Sequence, residues 1–179
     1  MLNLETGSTP LTQTCWVVPD LDDAITSWNA MGVGPFFHFT LDDPDALHRG
    51  ETRRLHVRVA IAYAGPMQIE LIQPLDDDPS VYRDVVAPGQ SGLHHVCREY
   101  GGLDEGIAAL TAQGFEVAMS GTLGPIRFAY VDTRPLIACM YELVDQSDMA
   151  VRMYAHIRQA ASQWDGVDGS RPMSFADFM

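Results

Sequence analysis

The chain repeats itself, and that limits what it can fold into more than any other feature. At a shift of 82 positions Cys15 falls on Cys97, Leu21 on Leu103, Asp22 on Asp104, Ile25 on Ile107, Ala30 on Ala112 and Gly32 on Gly114. Six of the nineteen positions from Cys15 to Val33 are therefore identical, where ordinary residue usage gives roughly one or two. The same shift places Gln13 on His95. Later in each half, Gln68-Ile69-Glu70-Leu71-Ile72 parallels Met140-Tyr141-Glu142-Leu143-Val144, so Glu70 corresponds to Glu142. A duplicated fold puts Gln13, Glu70, His95 and Glu142 at equivalent sites, two per half. Four such side chains meeting near a pseudo-twofold axis make a metal site.

Each half reads as strand, helix, then three strands. In the first, residues 11–74, Gln13 to Val18 is a strand. Asp20 caps a helix with Leu21, Ile25 and Trp28 at helical spacing, and Gly32, Gly34 and Pro35 end it. Strands follow over 36–41, 52–64 and 67–73, with polar residues 42–51 read as a loop. A polar linker, 75–91, which contains a short-helix candidate at 81–86, leads to the second half, 92–144. In that half a strand over 93–100 precedes a helix over 103–112. Strands are predicted at 115–119, 126–132 and 136–144, with a turn at 132–135. Residues 145–179 add a helix at 149–164, whose stripe is Met153, Tyr154, Ile157, Ala161 and Trp164. An extended tail with Phe175, Phe178 and Met179 follows.

Composition removes several classes of function. The 24 acidic and 11 basic residues give a formal charge of -13, which argues against nucleic acid. No run of apolar residues is long enough to span a membrane, and Met1 to Pro10 lacks a secretory signal, so the expected compartment is the cytoplasm. Three cysteines, Cys15, Cys97 and Cys139, make no disulfide framework. Cys15 and Cys97 each lie two residues after a proposed ligand and are read as small buried apolar residues rather than thiolate ligands.

The motifs Val17-Val18-Pro19-Asp20-Leu21, Gln68-Ile69-Glu70-Leu71-Ile72-Gln73-Pro74, Gly92-Leu93-His94-His95-Val96 and Tyr141-Glu142-Leu143 lie in order at matching module positions. Together the two modules resemble the vicinal-oxygen-chelate (VOC) superfamily, in its glyoxalase / methylmalonyl-CoA epimerase-like branch. The resemblance implies an α+β fold of two βαβββ modules curled into an open cup, with the helix of 149–164 as an addition. It also implies a homodimer, and metal positions on the first and fourth strands of each module, which are Gln13, Glu70, His95 and Glu142 here. Epimerases of the branch carry His where this chain has Gln13, whereas one metal class of glyoxalase I uses Gln, Glu, His and Glu. Some epimerases carry a second carboxylate base on the third strand, and residues 52–64 contain none. Of the His doublet only His95 is assigned to the site, because successive strand residues face opposite ways.

Two carboxylates, an imidazole and an amide oxygen suit a hard or borderline divalent ion: Mn, Fe, Co, Ni or Zn. Such an ion makes a proton alpha to a bound carbonyl acidic. Glu142 is the candidate base and Glu70 its counterpart on the other face. The expected function is a metal-dependent isomerase, epimerase or lyase acting on a small carbonyl compound. The alternatives are a binding protein that sequesters a small molecule and an extradiol-type dioxygenase. The dioxygenase needs two histidines and a carboxylate on one face. His56, Arg58, Tyr63, Arg127 and Tyr130 are weighed as pocket residues or as ordinary sheet positions, and Trp16 is assigned to the core.

Overall fold

A computed structural model describes residues 10–100, 102–123 and 126–178. The first nine residues and Met179 of the tail, for which expectations were set above, lie outside them. The first module runs β1 (Gln13–Val17), α1 (Leu21–Ala30), β2 (Phe36–His48), β3 (Glu51–Ala64) and β4 (Met67–Pro74). The second runs β5 (Gly92–Tyr100), α2 (Leu103–Thr111), β6 (Val117–Leu123), β7 (Ile126–Val131), a short α3 (Arg134–Ile137) and β8 (Met140–Asp145). Helix α4 (Asp148–Ser162), strand β9 (Ser170–Pro172) and a 3₁₀ turn (Phe175–Phe178) complete the chain. The fold is α+β, two βαβββ modules in sequence.

Strand pairing makes the duplication physical. Within the modules β1 pairs parallel with β4, and β5 with β8, so that Cys15 lies opposite Glu70 and Cys97 opposite Glu142. The modules join through antiparallel β1 and β5, where Gln13 faces Cys97 and Cys15 faces His95. That reciprocal register places the pseudo-twofold axis between β1 and β5. The sheet continues in the order β3-β4-β1-β5-β8-β7-β6-β2, and β2 also pairs with β3. The eight strands therefore close into a barrel, where an open cup was expected.

Closure depends on residues read from sequence as a loop. Residues 42–48 continue β2, and Arg49-Gly50 is a two-residue turn with both φ values positive, 47° and 81°. That geometry matches the right-handed twist of a hairpin. A register break between Asp43 and Ala46 absorbs Pro44. Polar composition misled here because this arm has an exposed face, along which Arg54 makes two hydrogen bonds to Asp42, 2.7 and 2.8 Å. Leu47 and His48 at its end pair with Ser120 and Met119 of β6. Along its other half β2 pairs with β9 of the tail.

Alternation along the strands sorts residues into layers. Val57, Val59, Ile61 and Tyr63 of β3 point inward to the main core, while Ala60 and Ala62 point out to α1 and its Leu21 and Ile25. Helix α2 packs in the same way on Ala129, Val131 and Leu143. Asp20 Oδ1 caps α1 by accepting from the Asp23 amide at 2.9 Å. Ser147 caps α4, whose Met149, Met153 and Ile157 are buried in the barrel core. Each fully buried side chain of that size contributes about 1.5–3 kcal/mol. Residues 81–86 form turns rather than a helix, and Val81, Tyr82 and Val86 are buried. Trp16 is half-buried against Trp28 in the outer layer, ring centroids 5.2 Å apart. Among the described residues no helix is long and apolar enough to cross a membrane.

Candidate metal centre

The four sequence-selected side chains meet inside the barrel, within one chain. Gln13, Glu70 and Glu142 are nearly buried and His95 is wholly so. The Nε2 atom of His95 lies 3.2 Å from Gln13 Oε1, 3.3 Å from Glu70 Oε2 and 3.1 Å from Glu142 Oε2. One potential donor atom from each of Glu70, His95 and Glu142 lies within 4.8 Å of the others, and the same holds for Cys15, His94 and His95. Their convergence follows from register: each glutamate sits on a fourth strand beside a first strand, and the two first strands are neighbours.

His94 also enters the site, against the expectation from strand alternation. The β1–β5 register jumps between Cys15 and Trp16, which pair with His95 and Leu93. His94 is the extra residue of that bulge, and a bulge re-aims the side chain it inserts. Its ring is fully buried, packed against Tyr82 and Tyr130. His94 Nδ1 lies 2.8 Å from His95 Nδ1, and its Nε2 lies 3.0 Å from the Val81 carbonyl oxygen. A carbonyl only accepts, so His94 Nε2 carries the proton. Burial, then the neighbouring His95, pushes the His94 pKa far down and keeps it neutral. Its Nδ1 is then an acceptor, and His95 Nδ1 must donate to it. This leaves His95 Nε2 facing three oxygens.

One nitrogen with at most one hydrogen cannot satisfy three acceptors. A proton is one answer. Burial pushes the His95 pKa down, but Glu142 and Glu70 outweigh it and hold the pKa at about 9. Burial pushes the Glu70 carboxyl up, against the pull of His95. Burial and the adjacent Glu70 raise the Cys15 thiol far above its ordinary value, so without an ion it is a neutral neighbour. A divalent cation is the other answer, and the residues fit it. Glu70 Oε2 is buried with no well-formed hydrogen bond, facing only His95 Nε2 at 3.3 Å, a place that suits a cation. Gln13 presents its oxygen because its Nε2 donates to Gln68 Oε1, while Gln68 Nε2 donates to the Tyr63 hydroxyl at 2.9 Å. Both His94 nitrogens are engaged, which leaves His95 Nε2 as the histidine nitrogen that faces the two carboxylates.

Beside these groups lies a narrow cavity that opens to solvent. The polar groups occupy one end, and Phe39, Leu41, Leu123, Phe128 and Met153 are part of the apolar remainder. Tyr82 and Tyr130 also line it, their hydroxyls 3.4 Å apart. Arg58 and Arg127 stay outside, paired with Asp22 and Asp104 at 2.8 and 2.5 Å. Those aspartates are the repeat-equivalent residues in the first turns of α1 and α2. Tyr63 is buried behind Gln68, and His56 is half-buried on β3. His94 and Tyr82 are the site residues that sequence reasoning missed. The His-His doublet was a signal for the first; nothing in a polar linker pointed to the second.

The family model described as Glyoxalase/Bleomycin resistance protein/Dioxygenase superfamily matches residues 12–130. No curated protein matches the chain. A hypothetical protein from Bacillus halodurans is similar in structure, with TM-score 0.57, 18% identity, and coverage of 79% of this chain and 96% of its own. Streptomyces coelicolor methylmalonyl-CoA epimerase, in complex with 2-nitronate-propionyl-CoA, has TM-score 0.54 at 17% identity, covering 79% of this chain and 99% of its own. The Mycobacterium tuberculosis methylmalonyl-CoA epimerase has TM-score 0.55 at 17% identity, covering 83% and 96%.

Proposed function

Because the chain belongs to the glyoxalase/bleomycin resistance protein/dioxygenase superfamily, we propose that it is a divalent-metal-dependent isomerase, epimerase or lyase. Its substrate is a small carbonyl compound that loses a proton alpha to a bound oxygen. The observation that carries this reading is the meeting of Glu70, Glu142 and Gln13 Oε1 on the single nitrogen His95 Nε2, in a buried place where one hydrogen cannot serve three oxygens. Gln13, Glu70, His95 and Glu142 are the residues that would hold the ion. A divalent ion in that place supplies Lewis-acid stabilisation of negative charge developing on a carbonyl oxygen.

The chain's own groups account for the rest. His94 holds His95 in the tautomer that keeps Nε2 toward the site. Glu142 takes the alpha proton, and Glu70, its pseudo-twofold counterpart, faces the reacting carbon from the other side. Two carboxylates on opposite faces suit an epimerisation, in which one removes the proton and the other returns it. The apolar walls limit water around the carbanionic species.

The test is Glu142→Gln, which keeps an oxygen in place but cannot take a proton at neutral pH. Solvent-deuterium exchange at the alpha carbon of a substrate should fall on the order of a hundredfold or more. Metal content, measured on untagged protein by plasma emission, should change far less. Exchange at the wild-type rate would move the base to Glu70. An absence of divalent ion in both proteins under metal-replete conditions would overturn the metal-dependent reading.

A further inference from the structure

Resting on the proposed function, we infer that the site takes an uncharged molecule with a compact apolar body, a single ring or a short branched chain, beside its carbonyl group. Phosphorylated substrates and coenzyme A thioesters are outside that class. All eleven basic residues of the chain are arginines, and among the described residues none lines the cavity. Arg58 and Arg127 are held on the outer face by Asp22 and Asp104. Arg49 and Arg134 are held by Asp132. Arg158 is held over the Tyr63 ring, 4.7 Å from its centroid, and donates to the Tyr63 hydroxyl.

With a divalent ion held at the polar end, the two carboxylates of Glu70 and Glu142 would match its charge, and Gln13 and His95 as ligands would add none. A further fixed anion would enter an apolar space without a partner, a cost that a neutral body avoids. Away from the polar end the walls include Phe39, Leu41, Val59, Ile61, Leu123 and Phe128. Helix α4 supplies the roof through Met153 and Tyr154. Met153 is fully buried and packed in the barrel core, so the roof is an integral layer.

The probe pair is 1-phenylpropane-1,2-dione, neutral and apolar, against dihydroxyacetone phosphate and propionyl-CoA. Binding is measured by calorimetry on nickel-loaded and metal-free full-length protein. The dione should bind roughly tenfold tighter or more than either anion. Met153→Trp, which fills the roofed space, should weaken the dione by a similar factor and leave nickel content unchanged. Should that variant lose its near-ultraviolet circular dichroism, Leu123→Trp, at a half-buried wall position, serves instead. Equal or tighter binding of an anion, or unchanged dione affinity in a folded variant, overturns the assignment. Failure of nickel uptake would sink the metal-dependent reading alone. Dione binding by metal-free protein that is sensitive to Met153→Trp would then sustain the substrate class. No dione binding in either form overturns it.

Discussion

His94 shows how much of the site rests on one residue outside the ligand set. Its two nitrogens are committed, one to the Val81 carbonyl and one to His95, and this commitment alone dictates which nitrogen of His95 faces the carboxylates. His94→Phe would keep ring packing near Tyr82 and Tyr130 but remove the acceptor. Divalent-ion affinity, titrated against a fluorescent chelator, should fall about 10- to 100-fold, the usual cost of a lost outer-shell partner; unchanged affinity would mean that the carboxylates orient His95 by themselves. A pH dependence accompanies it. The His95 pKa of about 9 in the metal-free protein lies above the ordinary 6.5. The protonated ring therefore stabilises the metal-free fold fully below that ordinary value, and the contribution is lost as pH rises through about 9. An incoming ion must displace the same proton. Calorimetry in buffers of different ionisation enthalpy should record about one proton released per ion near pH 7 and progressively less above pH 9.

At the level of elements, the β2–β3 arm closes the barrel and Arg49 clips it shut. From the turn, Arg49 reaches Asp84 of the linker and Glu116 and Asp132 of the second module, at 2.9, 2.6 and 2.8 Å. Arg134 beside it, opposed by partial burial and helped by Arg49, holds the Asp132 carboxyl far below the usual carboxylate range. A depressed carboxylate stabilises above its ordinary pKa, and that contribution is lost as pH falls through the lowered value, so the clip should persist well into acid. Arg49→Asn tolerates the positive φ but removes the cation. Its midpoint in urea should correspond to about 1–2 kcal/mol lost, between an exposed pair and a buried one, and 1 M salt should narrow the difference from wild type. The arm also marks where sequence reading stopped. The duplication made the two βαβββ halves legible, and with them the strands bearing Gln13, Glu70, His95 and Glu142, because equivalent residues in paired strands carry geometric information. Asp42 to Glu51 was illegible because polar residues on the open side of a hairpin look like loop residues. The bulge at His94 and the inward turn of Tyr82 depend on cross-strand register and linker packing, which no local pattern encodes.

Across the whole molecule, the added helix is wired to the site as well as roofing it. Arg158 of α4 donates to the Tyr63 hydroxyl at 3.2 Å, and Gln68 Nε2 donates to the same oxygen at 2.9 Å. That fixes the Gln68 amide with its oxygen toward Gln13, whose own Nε2 donates to it. The Gln13 oxygen is left pointing at His95 Nε2. Reversing either amide would turn an NH2 group toward the place a cation would take, and an amide NH2 cannot ligate one. Gln13 works as a ligand only while this chain of donors and acceptors holds its orientation. Tyr63→Phe cuts it at the middle while keeping the ring beneath Arg158. A buried donor left unsatisfied costs about 1–3 kcal/mol, and rotating the Gln68 amide to escape that cost would misorient Gln13. The expected result is roughly a tenfold loss of divalent-ion affinity, with the chemical step changed less than in Glu142→Gln. Gln13→His, which supplies a ligand needing no amide orientation, should make affinity insensitive to Tyr63→Phe. If Tyr63→Phe weakens the Gln13→His protein as much as wild type, Tyr63 acts through packing of α4 on the barrel and not through the orientation of Gln13.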